Sequence, residues 1–189
     1  MKILDQVALF LRITGSRTIA RRYFVVNGFD GVLTMLGIIM GFHISGETSA
    51  MLTVNACLGA AVALTVSGMT SAYVSEAAER QNSLRELEQA MVSDLGESAH
   101  GQAARLVPAL IALVNGLAPL LLSLLIISPF WLADYLPLAP LPAAIGVAFT
   151  AIFFLGVFLG KVSGVFWLWS GLRTLLIALL TCGIILLLA

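Results

Sequence analysis

The chain has 189 residues, 60% of them hydrophobic and 11% charged, with ten basic residues balancing ten acidic ones. A soluble domain carries roughly a quarter charged residues, so the polar surface here is too small to keep a fold of this size in water, and a bilayer is the solvent that suits it. Zero net charge argues against nucleic acid as a partner, and Cys57 and Cys182, each in an apolar stretch with no CxxC pairing, argue against a disulfide framework or a thiolate metal site.

The N-terminal string MKILDQVALFL resembles a secretory signal only superficially. Its apolar part is interrupted by Asp5 and Gln6, and Arg12, Arg17, Arg21 and Arg22 follow where a small-residue cleavage site would stand. Ile3, Leu4, Val7 and Leu11 recur at helical spacing. Residues 1–23 are therefore expected to form an amphipathic helix at the membrane surface, basic at its far end and retained in the mature protein.

A spanning helix needs about 20 mostly apolar residues. Five stretches qualify, at about 24–44, 50–74, 104–128, 143–160 and 171–189. Residues 24–189 are thus expected to form an all-α, five-helix transmembrane domain. Between the second and third spans, residues 75–102 are polar, acidic and strongly helix-forming. A loop marked by Pro129, Asp134, Pro137, Pro140 and Pro142 separates the third span from the fourth.

With a cytoplasmic N-terminus, every basic residue falls in segments 1–23, 75–103 and 161–170 or the adjoining helix ends: Lys2, Arg12, Arg17, Arg21, Arg22, Arg80, Arg85, Arg105, Lys161 and Arg173. The two outer loops hold only Glu47 and Asp134. That bias is complete, and it predicts a C-terminus on the outside of a cell membrane. A compact chain with no organelle-targeting leader suits a prokaryotic plasma membrane.

Small residues recur every fourth position: Gly37 and Gly41 in the first span, Gly59, Ala63, Ser67 and Ser71 in the second, Gly156, Gly160 and Gly164 around the end of the fourth. In lipid such stripes let backbones approach closely, either within one bundle or between two copies of the chain. No internal repeat is evident, which argues against a duplicated inverted-repeat carrier.

Of the ten acidic residues, Asp30 stands apart, because it falls inside the first span within VVNGFDGVLTMLG. A carboxylate at that depth costs a few kcal/mol and should face protein or a water-filled path. Asn27 and Thr34 share its face and Met35 lies close by, an oxygen-rich strip beside a soft sulfur on which a divalent cation could shed part of its water. The structural alternative is a carboxylate bonded to Asn115 or Arg105, or one seated at the interface. A second set begins where the second span ends. Met69, Tyr73, Glu76 and Glu79 share one side of the helix, and Glu86, Asp94 and Glu97 continue near the same stripe. Such carboxylates would gather cations at a cytoplasmic mouth, or they form a solvated face neutralised by Arg80 and Arg85. His100, in a loop-like ESAHGQ stretch, and His43, near the outer end of the first span, are weaker ligand candidates. Asn115-Gly116 with Pro119 suggests a locally weakened third helix whose freed carbonyls could line a cavity. Enzymatic sets are missing from the sequence, with no HExxH, no P-loop and no Ser–His–Asp set at one depth, so no catalytic activity and no bound cofactor are expected.

The string RRYFVVNGFDGVLTMLGIIMG resembles the opening helix of the vacuolar iron transporter family. SGMTSAYVSEAAER is similar to that family's second helix, NGLAPLLLSLL to its third, and GKVSG followed by SGLRTLLIALL to its fourth-to-fifth junction. The resemblance implies a five-helix protomer, a homodimer, proton-coupled export of ferrous or manganous ions from the cytosol, and Asp30 as metal or proton ligand with Met69 nearby. Two departures stand out. The family's long cytosolic metal-binding insert is reduced to residues 75–102, and Leu58-Gly59-Ala60-Ala61 occupies the place of a mid-span glutamate. The expected function is divalent metal transport through Asp30, Asn27, Met69, Glu76, Glu79 and Glu86. The alternatives are a non-transporting membrane scaffold that docks a soluble partner through the acidic helix 76–97, and a carrier for another small cation or metabolite.

Overall fold

The computed structural model describes residues 9–10, 12–46, 49–135 and 137–188. The chain is all-helical. Its long helices are α1 (Ser16–Ile44), α2 (Ala50–Met91), α3 (Ala99–Trp131), α4 (Pro140–Ser163) and α5 (Trp167–Leu188). All five are long and apolar enough to cross a membrane. Residues 1–8 and 11 of the expected amphipathic segment lie outside the described residues, as does Glu47.

The helix ends correct several expected boundaries. α1 starts at Ser16, so the arginines of residues 17–22 belong to its first two turns rather than to a separate surface helix. The break falls at Gly15, whose φ of +64° suits glycine. α2 continues through Tyr73 and the acidic stretch without interruption, over 42 residues. At 1.5 Å per residue that is about 63 Å, roughly twice the hydrocarbon thickness, so one end must project beyond any bilayer it crosses. His100, expected in a loop, sits in the first turn of α3. The fourth and fifth helices extend towards each other until three residues, Gly164 to Phe166, join them. Gly164 closes α4 in the left-handed conformation, its N–H donating to the Gly160 carbonyl.

Two compact units divide the chain. The first comprises residues 1–24 and 66–117. Its core is Phe10, Ala103, Val107 and Ile111, with Ile19 and Tyr23 packed against them. Asn115 in α3 donates a 2.7 Å hydrogen bond to the Gly68 carbonyl of α2.

The second unit comprises residues 25–65 and 118–189. Val32, Met35, Leu36 and Ile39 of α1 are fully buried there, as are Ile126 and Ile127 of α3 and Ile152 of α4. The α4–α5 hairpin is built on small residues: Gly156 meets Thr174, Gly160 meets Ser170 and Trp167, and Gly171 meets Phe153. The Thr174 hydroxyl reaches the Ile152 carbonyl across the hairpin at 3.1 Å. α5 buries Gly171, Thr174 and Ala178 while exposing Leu172, Leu176, Leu179, Leu180 and Leu187. Small and polar inside with leucine outside reverses the pattern of a water-soluble helix and suits lipid as the solvent.

Candidate functional site

Asp30 is the fifteenth of the 29 residues of α1, about 21 Å along the axis from either end. The side that packs carries Val25, Gly28, Val32, Met35 and Ile39, all buried. At about 100° per residue, Asp30 stands roughly 200° round from Gly28, on the opposite side. Its side chain is exposed, as is that of Val26 one turn earlier, where half the surface is open. Among the described residues Asp30 has no hydrogen-bond or ion-pair partner. The rotation is fixed by its neighbours, since Gly28 lies against Leu122 and Leu155, and Gly31 against the main chain of Pro119.

The polar strip is there in part. Asn27 and Thr34, one turn either side of Asp30, are half-buried, while Met35 turns fully into the core and so leaves the strip. Further out on the same side, Gly41 has open space where a Cβ would stand. His43 is exposed near the end of α1.

On α2, Gly68, Ala72 and Glu76 succeed one another every fourth residue on its buried face, so Glu76 points inward and is only 6% exposed. Its Oε2 accepts from Arg80 Nη2 at 3.3 Å. The other terminal nitrogen of Arg80 donates to the Thr14 carbonyl oxygen at 3.2 Å, a link across 66 residues of sequence. Met69 is half-buried, whereas Tyr73 and Glu79 are exposed. Glu86 is exposed and accepts from Asn82 Nδ2 at 2.9 Å.

Two further carboxylates serve the α2–α3 turn. Glu88 accepts the Leu95 N–H and Asp94 the Gly96 N–H, while Glu97 is exposed. Among the described residues, no three His, Cys, Asp or Glu side chains gather at a point that would hold a metal ion. The structure thus brings Glu76 to Arg80 and leaves Glu79 and Glu86 as separate surface groups.

Three features were not read from the sequence. The Arg80–Thr14 link joins distant segments and has no local signature. The contact of Gly31 with Pro119 was hinted at only by a glycine inside an apolar helix. Ser123 of α3 is fully buried, and its hydroxyl has no hydrogen-bond partner among the described residues.

The class is therefore an all-α chain whose five long helices each suit a bilayer, with one exposed carboxylate halfway along the first. The chain belongs to the same family as an uncharacterized protein of Methanocaldococcus jannaschii, to which it is 30% identical over 145 residues, 75% of this chain and 74% of the relative. No protein-family model and no solved structure matches it.

Proposed function

We propose that this chain is a multi-pass carrier of divalent cations, of the ferrous or manganous kind, working as a homodimer and exporting them from the cytoplasm in exchange for protons. It is not an enzyme on this reading, and it sits in a cell membrane with its N-terminus inside and its C-terminus outside. One observation carries the proposal: Asp30 stands at the middle of a helix of spanning length, turned away from the packed side, with no partner among the described residues. A bare carboxylate facing hydrocarbon is too costly to persist, so that side of α1 must meet water, a cation or another copy of the chain. A second copy fits the open surfaces. Gly59, Ala63, Ser67 and Ser71 form an exposed small-residue stripe on α2, and Gly41 and Gly59 have free space at their Cβ positions.

Chemically, Asp30 offers a hard oxygen ligand with the Asn27 and Thr34 side chains one turn away. A proton arriving from outside neutralises the carboxylate and releases the cation. Glu79 and Glu86, exposed on the projecting part of α2, raise the local cation concentration at the cytoplasmic entrance. The test is transport into proteoliposomes loaded with a dye sensitive to iron and manganese. Uptake is expected to fall to background for Asp30→Asn, and an unchanged rate would sink the reading.

The projection of α2 favours a second reading, a non-transporting scaffold that docks a soluble protein through residues 76–97. Under that reading no divalent metal shifts the melting temperature, and crosslinking from this segment recovers a soluble partner.

A further inference from the structure

We propose that the turn joining α4 to α5 binds the headgroup of an anionic phospholipid such as phosphatidylglycerol. The inference rests on the membrane-spanning part of the proposed function and does not need cation transport. Lys161, near the end of α4, and Arg173, in the second turn of α5, are the only charged side chains after Asp134. Both are exposed, and among the described residues neither takes part in an ion pair or a hydrogen bond. Their counter-charge must therefore come from outside this hairpin.

The packing of the hairpin decides where Arg173 points. Gly156 and Gly160 of α4 lie against Thr174, Ser170 and Trp167, which form the inner side of α5. Arg173 and Trp169, one turn apart, are carried to the outer side, beside the exposed Leu172, Leu176 and Ile177. Arg173 stands roughly 9 Å along the axis from Trp167, a depth at which an uncompensated charge facing hydrocarbon is costly. A helical side chain leans towards the N-terminus of its helix, here towards the turn, and a long one can lift its charge to the headgroups. The guanidinium does lie over the ring of Trp169, its central carbon 5.5 Å from the centroid. That stack engages only the flat face of the group. The N–H donors lie in its plane, remain open, and form the fork that matches a phosphate.

The rest of the turn suits the same zone. Residues 161–169 are all exposed. Phe166 and Trp167, their rings 6.0 Å apart, and Trp169 leave 45% to 65% of their surfaces open. Tryptophan is enriched where hydrocarbon gives way to headgroups, because its ring is apolar and its N–H needs a polar partner. Aromatic surface alone does not select among lipids. Two cations with no acid beside them do, since they attract a headgroup of net negative charge more than one whose phosphate is offset by its own ammonium.

The test reads the tryptophan fluorescence of the full chain carrying Trp131→Phe, which leaves Trp167 and Trp169 as its tryptophans. The protein is reconstituted in phosphatidylcholine vesicles holding a small fraction of brominated phosphatidylglycerol or of brominated phosphatidylcholine, each of which quenches tryptophan only at contact range. The phosphatidylglycerol is expected to quench half-maximally at an about thirtyfold lower fraction. Lys161→Gln and Arg173→Gln should each weaken that preference about fivefold, as the loss of one basic residue at a membrane surface does. Both variants should melt like the parent in lipid-free detergent, because both side chains are exposed and outside the packed side of the hairpin. Equal quenching by the two lipids, or a preference that survives both substitutions together, overturns the headgroup site and leaves the membrane reading standing. No quenching by either lipid overturns the membrane reading and this inference with it. A clear fall in melting temperature for Arg173→Gln in lipid-free detergent overturns lipid as the partner and assigns the guanidinium to a protein carboxylate.

Discussion

A Cβ placed on Gly31 would stand 2.7 Å from the Cα of Pro119 and 3.1 Å from its carbonyl oxygen. Backbone therefore meets backbone at this point of α1 and α3, and no rotamer change can make room. The contact also sets the rotation of α1, because Asp30 precedes Gly31 and is carried to the outer side. Gly31→Ala is expected to cost about 1–3 kcal/mol through forced backbone displacement and to lower the melting temperature in detergent. Gly41→Ala, with nothing within 4 Å of the added methyl, should leave the protomer's melting temperature unchanged. Equal sensitivity at the two glycines would contradict the packing described.

Arg80 and Glu76 form an ion pair with side chains only 11% and 7% exposed. Removing one partner strands the other in a poorly solvated place, which costs more than the pair itself contributes. Arg80→Ala, which also frees the Thr14 carbonyl, is expected to destabilise by about 3 kcal/mol. Glu76→Gln should cost about 1 kcal/mol, because an amide can still accept from the guanidinium. Chemical unfolding of the two variants checks the order. An Arg80→Ala cost no larger than that of Glu76→Gln would mean the pair is solvated after all.

Composition alone made five apolar helices legible, because twenty-residue apolar runs have few other readings. The ends were less legible. Residues 16–23 look like a surface helix by charge, yet nothing between Arg17 and Phe24 breaks helical backbone, so α1 simply begins earlier. His100 looked loop-bound because Gly96 and Gly101 flank it, but Ser98 accepts the Gly101 N–H and starts α3 just before it. Asp30 was legible as an outlier of depth. Its direction was not, since helical phase does not tell which side packs until Gly28 and Gly31 are seen against their neighbours. The acidic stripe was readable as spacing only. That Glu76 turns inward to Arg80 while Glu79 stays in solvent depends on the burial of Gly68 and Ala72 on the same face.

Val92 follows the last residue of α2 with φ +50° and is 92% exposed. This is the position after a helix end where glycine is favoured, and the Ser93 N–H reaches back to the Glu88 carbonyl as it does in such caps. A β-branched residue pays about 1–2 kcal/mol for the left-handed conformation, and here no packing offsets it. Val92→Gly is therefore expected to raise stability by about 1 kcal/mol, measured as a shift of the unfolding midpoint. A decrease would mean that Val92 is packed against something in the native protein.

The third helix carries two buried polar side chains with opposite expectations. Asn115 bonds the Gly68 carbonyl of α2 at 2.7 Å, so Asn115→Ala should cost about 0.5–2 kcal/mol, the range for hydrogen bonds between helices in lipid. The Ser123 hydroxyl is buried without a partner among the described residues. Ser123→Ala removes an unsatisfied group of nearly the same volume and is expected to be neutral or to stabilise by up to about 1 kcal/mol. Parallel melting curves decide between them. A marked loss at Ser123 would reveal a partner for that hydroxyl.

At Asp30, stability and activity should move in opposite directions. A structural carboxylate, one that held the fold together, would lose both together. Asp30 has no partner among the described residues and lies opposite the packed side of α1. Asp30→Asn therefore breaks no contact among the described residues, and on the transport reading it removes a charge whose placement at mid-membrane depth would cost a few kcal/mol. The variant is expected to melt at or above the temperature of the parent while divalent-cation transport is lost. Asp30→Glu, which keeps the charge but moves it by one methylene, should retain part of the transport and gain no stability. If Asp30→Asn instead melts well below the parent, the carboxylate is bonded in the native assembly, and the open side of α1 is a structural interface rather than a path for ions.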